Sequence, residues 1–365
     1  MIFCTSMAAI IALLLFFAQA LDYSNVKISA NGSVVHSSMS KFFLWVVAVT
    51  LILVAGLRGH IGMDYGQYMV NYPRYLLSIK DDIIHFNQPG INILAYIASK
   101  IYDNYVTMFF LASLVTVGLS VKTILKYSED CFVSVLLYMF LGCWIGSFNG
   151  VKQYLAAAVC FAGHRYIIER KFWKYALVVF IAASFHITAC SLLILYFVAN
   201  KEINKKNIIL FMIGTVVAIN AYDFAFSFVE FLKGDELSDI PYMTNNVKLF
   251  RVFVNVVPAV AALMLYRKKR LDASKNLYVN ILIINAAIMV STSNSTYLAR
   301  YGIYTNVFLA LSIPKTIKFD NKKNQTLFTA VMLILYFAFY VYNHSKAVGN
   351  WEWIWDELRR SGVIL

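Results

Sequence analysis

Asp64 in the segment GLRGHIGMDYGQY and His186 in AASFHITA are the two side chains best suited to take a proton from an attacking hydroxyl or to orient it. Four cations stand in similar polar interruptions of an otherwise apolar chain: Arg58 six residues before Asp64, Lys152 in FNGVKQYL, Arg251 in KLFRVF and Arg300 in TYLARYG. Guanidinium and ammonium groups bind phosphate oxygens and stabilise a departing phosphate. Gln153 after Lys152 and Tyr68 one turn after Asp64 are further candidates for substrate binding, and Tyr304 lies one turn after Arg300 on the same face, spaced to share its ligand. Plainer readings compete at these positions. Asp64 caps a short helix; Arg58 and Lys152 snorkel to headgroups; Tyr304 joins an interfacial belt; His186 is a hydrogen-bonded packing residue beside aromatics.

No GxGxxG, P-loop, HExxH, DxD or GxSxG pattern occurs, so nothing in the sequence points to a nucleotide cofactor, a catalytic metal or a serine nucleophile. No cofactor and no metal site are expected. Asp81 and Asp82 are a weak metal candidate, the commoner reading being a solvated loop. Cys4, Cys131, Cys143, Cys160 and Cys190 lie in or beside apolar runs without CxxC spacing, as small buried apolar groups do.

The elements that must hold these residues are membrane helices. Hydrophobic residues make up 60% of the 365 positions and charged ones 14%, against an apolar share of about 45–50% in soluble chains. Apolar runs recur over Met7–Leu21, Phe42–Leu57, Tyr105–Val121, Cys131–Ser147, Val151–His164, Ile208–Asp223, Arg251–Tyr266, Leu277–Val290, Tyr297–Pro314 and Leu327–Tyr342. The first ends in an A-x-A-like FAQALD but lacks a basic region before it, which argues against a cleaved signal peptide. The net charge of +13 is not a nucleic-acid footprint. Its lysines and arginines fall in short connections at 122–126, 165–174, 201–206, 267–275 and 315–323, the pattern of cytoplasmic loops.

If all five basic loops share one side, two segments cannot be simple crossings. Gln88–Tyr102, opening on Pro89-Gly90, is expected to insert only partly, and Tyr175–Val198 to be a broken helix pair turning near Ser184, Phe185 and His186. The expected fold is one all-α polytopic membrane domain over 1–365 with about ten crossings plus the two partial insertions, or 10–12 membrane helices in a GT-C-like architecture. Loops 58–88 and 222–250 lie on the outer face, with a tail at 344–365 whose WEWIWDELRR run lies along an interface. Three of the cations, Lys152, Arg251 and Arg300, then sit on the side that positive charge usually avoids.

Taken in order, these residues resemble the EpsG family of bacterial exopolysaccharide proteins, which groups with the Wzy-type polymerases of O-antigen and capsule. The elements are an arginine ending a span followed by G-x-D-x-x-x-Y (Arg58, Gly62, Asp64, Tyr68), NQPGINILAYI, VKQYLAAAVC, AASFHITA with Phe185 and His186, and a late arginine with a tyrosine one turn on (Arg300, Tyr304). They span roughly Leu57 to Pro314. Two positions depart from the family pattern: Gln88 replaces a glutamate, which argues against an acid there, and Lys152 replaces an arginine, which weakens bidentate phosphate binding.

The resemblance implies an inner-membrane glycosyltransferase, acting at the periplasmic face, that joins undecaprenyl-pyrophosphate-linked repeat units and needs no metal. Arg58, Arg251, Arg300 and Lys152 would hold the diphosphate, and Asp64 or His186 would deprotonate or orient the acceptor hydroxyl. The expected partners are the lipid-linked donor and acceptor glycans, the lipid bilayer and a chain-length regulator, with no nucleic acid. Competing classes are a lipid-linked glycan flippase or transporter, which would carry charges through mid-membrane, and another membrane transferase, either O-antigen ligase-like or an acyltransferase.

Overall fold

The computed structural model describes residues 1–22, 27–28, 34–210, 212–214, 216–217, 220, 247–268, 275–293, 295–296, 298–348 and 351–360. The helices are α1 (Ile2–Asp22), α2 (Ser38–Gly56), α3 (Tyr65–Leu77), α4 (Ile79–Ile84), α5 (Pro89–Ile101), α6 (Tyr105–Tyr127), α7 (Cys131–Phe140), α8 (Cys143–Gly146), α9 (Val151–Ala162), α10 (Arg165–Ile168), α11 (Phe172–Phe185), α12 (Leu193–Val198), α13 (Leu249–Lys268), α14 (Asn276–Ser291), α15 (Gly302–Thr316), α16 (Lys322–Val348) and α17 (Ile354–Arg360). Two 3-10 turns, Ile187–Leu192 and Leu298–Tyr301, precede α12 and α15. Strand pairing among the described residues is limited to a two-residue ladder, Lys27–Ile28 with Val34–Val35, and one bridge between Arg58 and Trp353. The chain is an all-α, multi-pass membrane protein.

Among the described residues five helices are long and apolar enough to cross a bilayer alone: Ile2–Asp22, Ser38–Gly56, Tyr105–Tyr127, Leu249–Tyr266 and Lys322–Ser345. Shorter apolar helices, among them Val151–Ala162, Phe172–Phe185 and Asn276–Ser291, fill the bundle between them. The expected run Cys131–Ser147 is two pieces, because Gly142 sits at φ +80° and a Cβ there would lie 2.2 Å from the His344 ring. Part of the expected crossing at Ile208–Asp223 (211, 215, 218–219 and 221–223) and most of the expected outer loop at 222–250 lie outside the described residues.

The basic loops gather at one end. Glu129, between α6 and α7, accepts a hydrogen bond from Lys318 Nζ at 2.5 Å and lies 3.9 Å from Lys315 Nζ. Asn280 near the start of α14 donates to the carbonyls of Ala199 and Lys201, and Asn200 donates to that of Ile167. The segments 128–130, 165–171, 199–201 and 315–318 therefore share an end, as charge parity required.

The broken helix pair takes the expected form. α11 leaves the basic end, reaches Phe185 and breaks at His186, whose backbone is extended (φ −151°, ψ 115°); the 3-10 turn and α12 carry the chain back. α5 is a separate 13-residue helix with Pro89 in its first turn, packed on α6, α3 and α11. Gly90 lets it approach the tip of α11, since a Cβ there would meet Ser184 Oγ at 2.7 Å and Phe185 at 2.8 Å.

Helix length sets the depth of the site. α6 and α9 end level at the basic side, where the Tyr127 and His164 rings lie 4.7 Å apart. α6 has 23 residues and α9 has 12. At 1.5 Å per residue α9 is about 16 Å shorter than α6, so its far end, where Lys152 and Gln153 stand, is set back from that of α6.

Candidate active site

Arg300 is the centre of the candidate site. The carbonyl of Arg300 accepts a 2.9 Å hydrogen bond from Gln153 Nε2, which pins the 3-10 turn to the first turn of α9. The Arg300 side chain is exposed and makes no ion pair among the described residues. Its charge is within electrostatic reach of Asp64, Tyr68, Tyr154, His186 and Arg251. Lys152 lies close enough to act on His186, with its Nζ 5.0 Å from the Tyr75 ring centre. Five predicted residues, Asp64, Lys152, His186, Arg251 and Arg300, thus converge from five separate segments. Three cations and two proton-handling groups share one neighbourhood, a composition suited to a transfer with a phosphate leaving group.

Asp64 does not cap α3. Its backbone is already helical and its side chain makes no capping bond. The loop before it is held from two directions: Met63 N donates to Asn149 Oδ1 at 2.5 Å, and Gly62, at φ +112°, passes so close to Phe148 that a Cβ would lie 2.5 Å from the Phe148 carbonyl oxygen. Only glycine accepts both that dihedral and that approach. Burial raises the Asp64 carboxyl above its usual value, and the positive charge of Arg300 partly opposes the shift. If ionised Asp64 serves the reaction, activity falls as pH drops through this raised value. The acidic limb of a rate profile is therefore expected above the ordinary aspartate range, and a limb within that range would contradict it. The stability sign is the reverse: the desolvated anion costs stability above its folded pKa, so Asp64→Asn should keep or raise the melting temperature.

His186 is held by a closed triangle. Its Nδ1 lies 2.7 Å from Thr188 Oγ1 and 3.2 Å from the Tyr304 hydroxyl, and the two hydroxyls are 2.8 Å apart. Tyr304 is therefore not a ligand-sharing neighbour of Arg300. Its ring is buried, 1% exposed, and its hydroxyl faces His186. Gln153 and Tyr68 are also supports. Gln153 fixes the Arg300 turn, and the buried Tyr68 hydroxyl accepts from Lys152 N at 3.3 Å.

Arg58 departs furthest from expectation. It is 2% exposed, and its guanidinium donates to the carbonyls of Ala55, Ile61 (3.2 Å) and Phe148 (3.3 Å) while lying 4.9 Å from the ring centres of Phe109 and Phe148. It closes the C-terminus of α2, where carbonyls lack helical partners and a cation is favoured. It has no fork left for a diphosphate. Tyr65, Tyr68 and Tyr72 are likewise buried and pack on α5 and α6 rather than offering ring faces to a glycan. Their i, i+3, i+7 spacing is that of a core-facing stripe.

The expected interfacial tail is instead a strap. Gly59 N donates to Glu352 O and Ile354 N to Leu57 O, both at 2.9 Å. Glu357 on α17 then accepts from the hydroxyls of Tyr65 and Tyr105 at 2.8 Å each. Neither Glu357, Thr188 nor Tyr154 was expected at the site from sequence; Thr188 alone had a local signal, two residues past His186.

Among the described residues no three His, Cys, Asp or Glu side chains are grouped to hold a metal ion. Asp82 is instead bound by Ser78, Asn87 and Asn92. Compared with known proteins, residues 41–354 match the model of the EpsG family. Searches of curated proteins and of solved structures each returned no match.

Proposed function

Because the chain belongs to the EpsG family, whose role is polymerase-like in polysaccharide biosynthesis, we propose that it is a metal-independent glycosyltransferase of the bacterial inner membrane. It joins undecaprenyl-pyrophosphate-linked repeat units at the periplasmic face. The observation that carries this reading is the convergence of Arg300, Arg251 and Lys152 with Asp64 and His186 at the end opposite the basic loops. The acceptor sugar hydroxyl attacks the anomeric carbon of the donor chain, the bond from that carbon to the phosphate oxygen breaks, and the lipid diphosphate leaves with the electron pair. The cations neutralise the charge that develops on it. The acceptor proton passes to a basic side chain of the site.

A flippase reading would place charges along several spans. The converging cations stand instead in the first turns of α9 and α13 and on the turn before α15, confined to one end of the bundle. Deletion in the source organism separates the readings. Single repeat units on the surface polysaccharide support polymerisation, loss of all units supports a flippase, and unchanged long chains contradict both.

A further inference from the structure

We infer that His186 is a hydrogen-bond donor to the leaving diphosphate and not the base, that Thr188 sets it in that state, and that Asp64 is left as the proton acceptor. This assignment rests on the polymerase reading and concerns the division of labour within the same site. It follows from counting protons in the triangle of His186 Nδ1, Thr188 Oγ1 and the Tyr304 hydroxyl, whose edges are 2.7, 2.8 and 3.2 Å. No other partner of these three groups occurs among the described residues.

Both hydroxyls carry a proton that must be donated, and the Tyr304 ring is 1% exposed. If Nδ1 is bare, Tyr304 donates to Thr188 Oγ1 and Thr188 donates to Nδ1, and every donor has an acceptor. If Nδ1 carries the proton it cannot accept, so three donors have only two edges of the triangle to fill, and the hydroxyl of the half-buried Thr188 is left to donate outside it, where no acceptor occurs among the described residues. The network therefore favours the neutral ring with its proton on Nε2, the nitrogen outside the triangle.

A ring so held presents N–H, in the field of Lys152 and Arg300. It can donate to an oxygen of the diphosphate as the anomeric bond breaks. It cannot take the acceptor proton on Nε2 without first losing its own. The proton goes to the Asp64 carboxylate, and the electron pair of the broken bond goes to the phosphate oxygen. Thr188 and Tyr304 are positioning residues.

The test compares chain growth by the full-length protein in membranes for His186→Gln, His186→Ala, Thr188→Val and Thr188→Ser. A glutamine amide can donate near the Nε2 position but cannot accept a proton. His186→Ala is expected to lose about 100-fold, His186→Gln to stay within about 10-fold of wild type, Thr188→Val to fall and Thr188→Ser to recover. Equal losses in His186→Gln and His186→Ala would overturn the donor role. Independently, nitrogen-15 spectra of the purified protein, with His186 identified by its absence from the His186→Gln spectrum, should show a bare Nδ1 and a protonated Nε2 at neutral pH. The opposite tautomer overturns the assignment even if the variants fold poorly. That tautomer in a wild-type chain that links no repeats would instead sink the polymerase reading and leave the ring assignment standing.

Discussion

Arg300→Ala is expected to slow glycan chain growth by about 10²–10³-fold while the protein stays folded. The size follows from position. Arg300 is exposed, has no ion pair among the described residues, and lies within reach of both Asp64 and His186, so its charge is available to a diphosphate. Fold retention follows from the backbone. The turn is pinned through the Arg300 carbonyl by Gln153 Nε2 at 2.9 Å, a bond that truncating the side chain leaves in place. Arg300→Lys keeps the charge but not the planar fork, so it should recover part of the loss. The check is the length distribution of product at matched protein level. Wild-type lengths in Arg300→Ala would remove the cation at the centre of the site.

Arg58→Ala is expected to act on the fold rather than the chemistry, and strongly. It strips partners from the carbonyls of Ala55, Ile61 and Phe148 and removes the cation lying against two aromatic rings. Orphaning several buried acceptors costs on the order of 3–5 kcal/mol. Folded protein in the membrane should drop, and the melting temperature in detergent should fall by about 5 °C or more. A folded Arg58→Ala protein with unchanged melting temperature and lost activity would return Arg58 to the substrate.

The contrast between these two arginines shows where sequence reading succeeds. Hydropathy and the parity of basic loops are properties of whole segments, and they located the bundle, the separate helix opening on Pro89 and the break at His186. They also singled out Lys152, Arg251 and Arg300, because charge expected on the wrong side needs a reason that sequence position alone exposes. What they cannot give is the direction of a side chain. Arg58 and Arg300 both stand at the end of a membrane segment opposite the basic loops. One turns back onto the carbonyls of its own helix end and the other faces outward, a difference set by Phe148, which is 90 residues from Arg58. The strap of Glu357 on Tyr65 joins residues 292 apart and has no local signature. Tyr304 was read on the wrong partner for the same reason: helical spacing placed it beside Arg300, but the partner it bonds is Thr188, 116 residues away.

The central claim is that this outer-end site links glycans carried on lipid diphosphate. The most direct measurement supplies the purified protein in lipid nanodiscs with one synthetic lipid-diphosphate-linked repeat unit and resolves the products by mass. The account predicts a ladder spaced by one repeat, with one lipid diphosphate released for each new linkage. Input units that remain single, with no lipid diphosphate released by a folded protein, would contradict it.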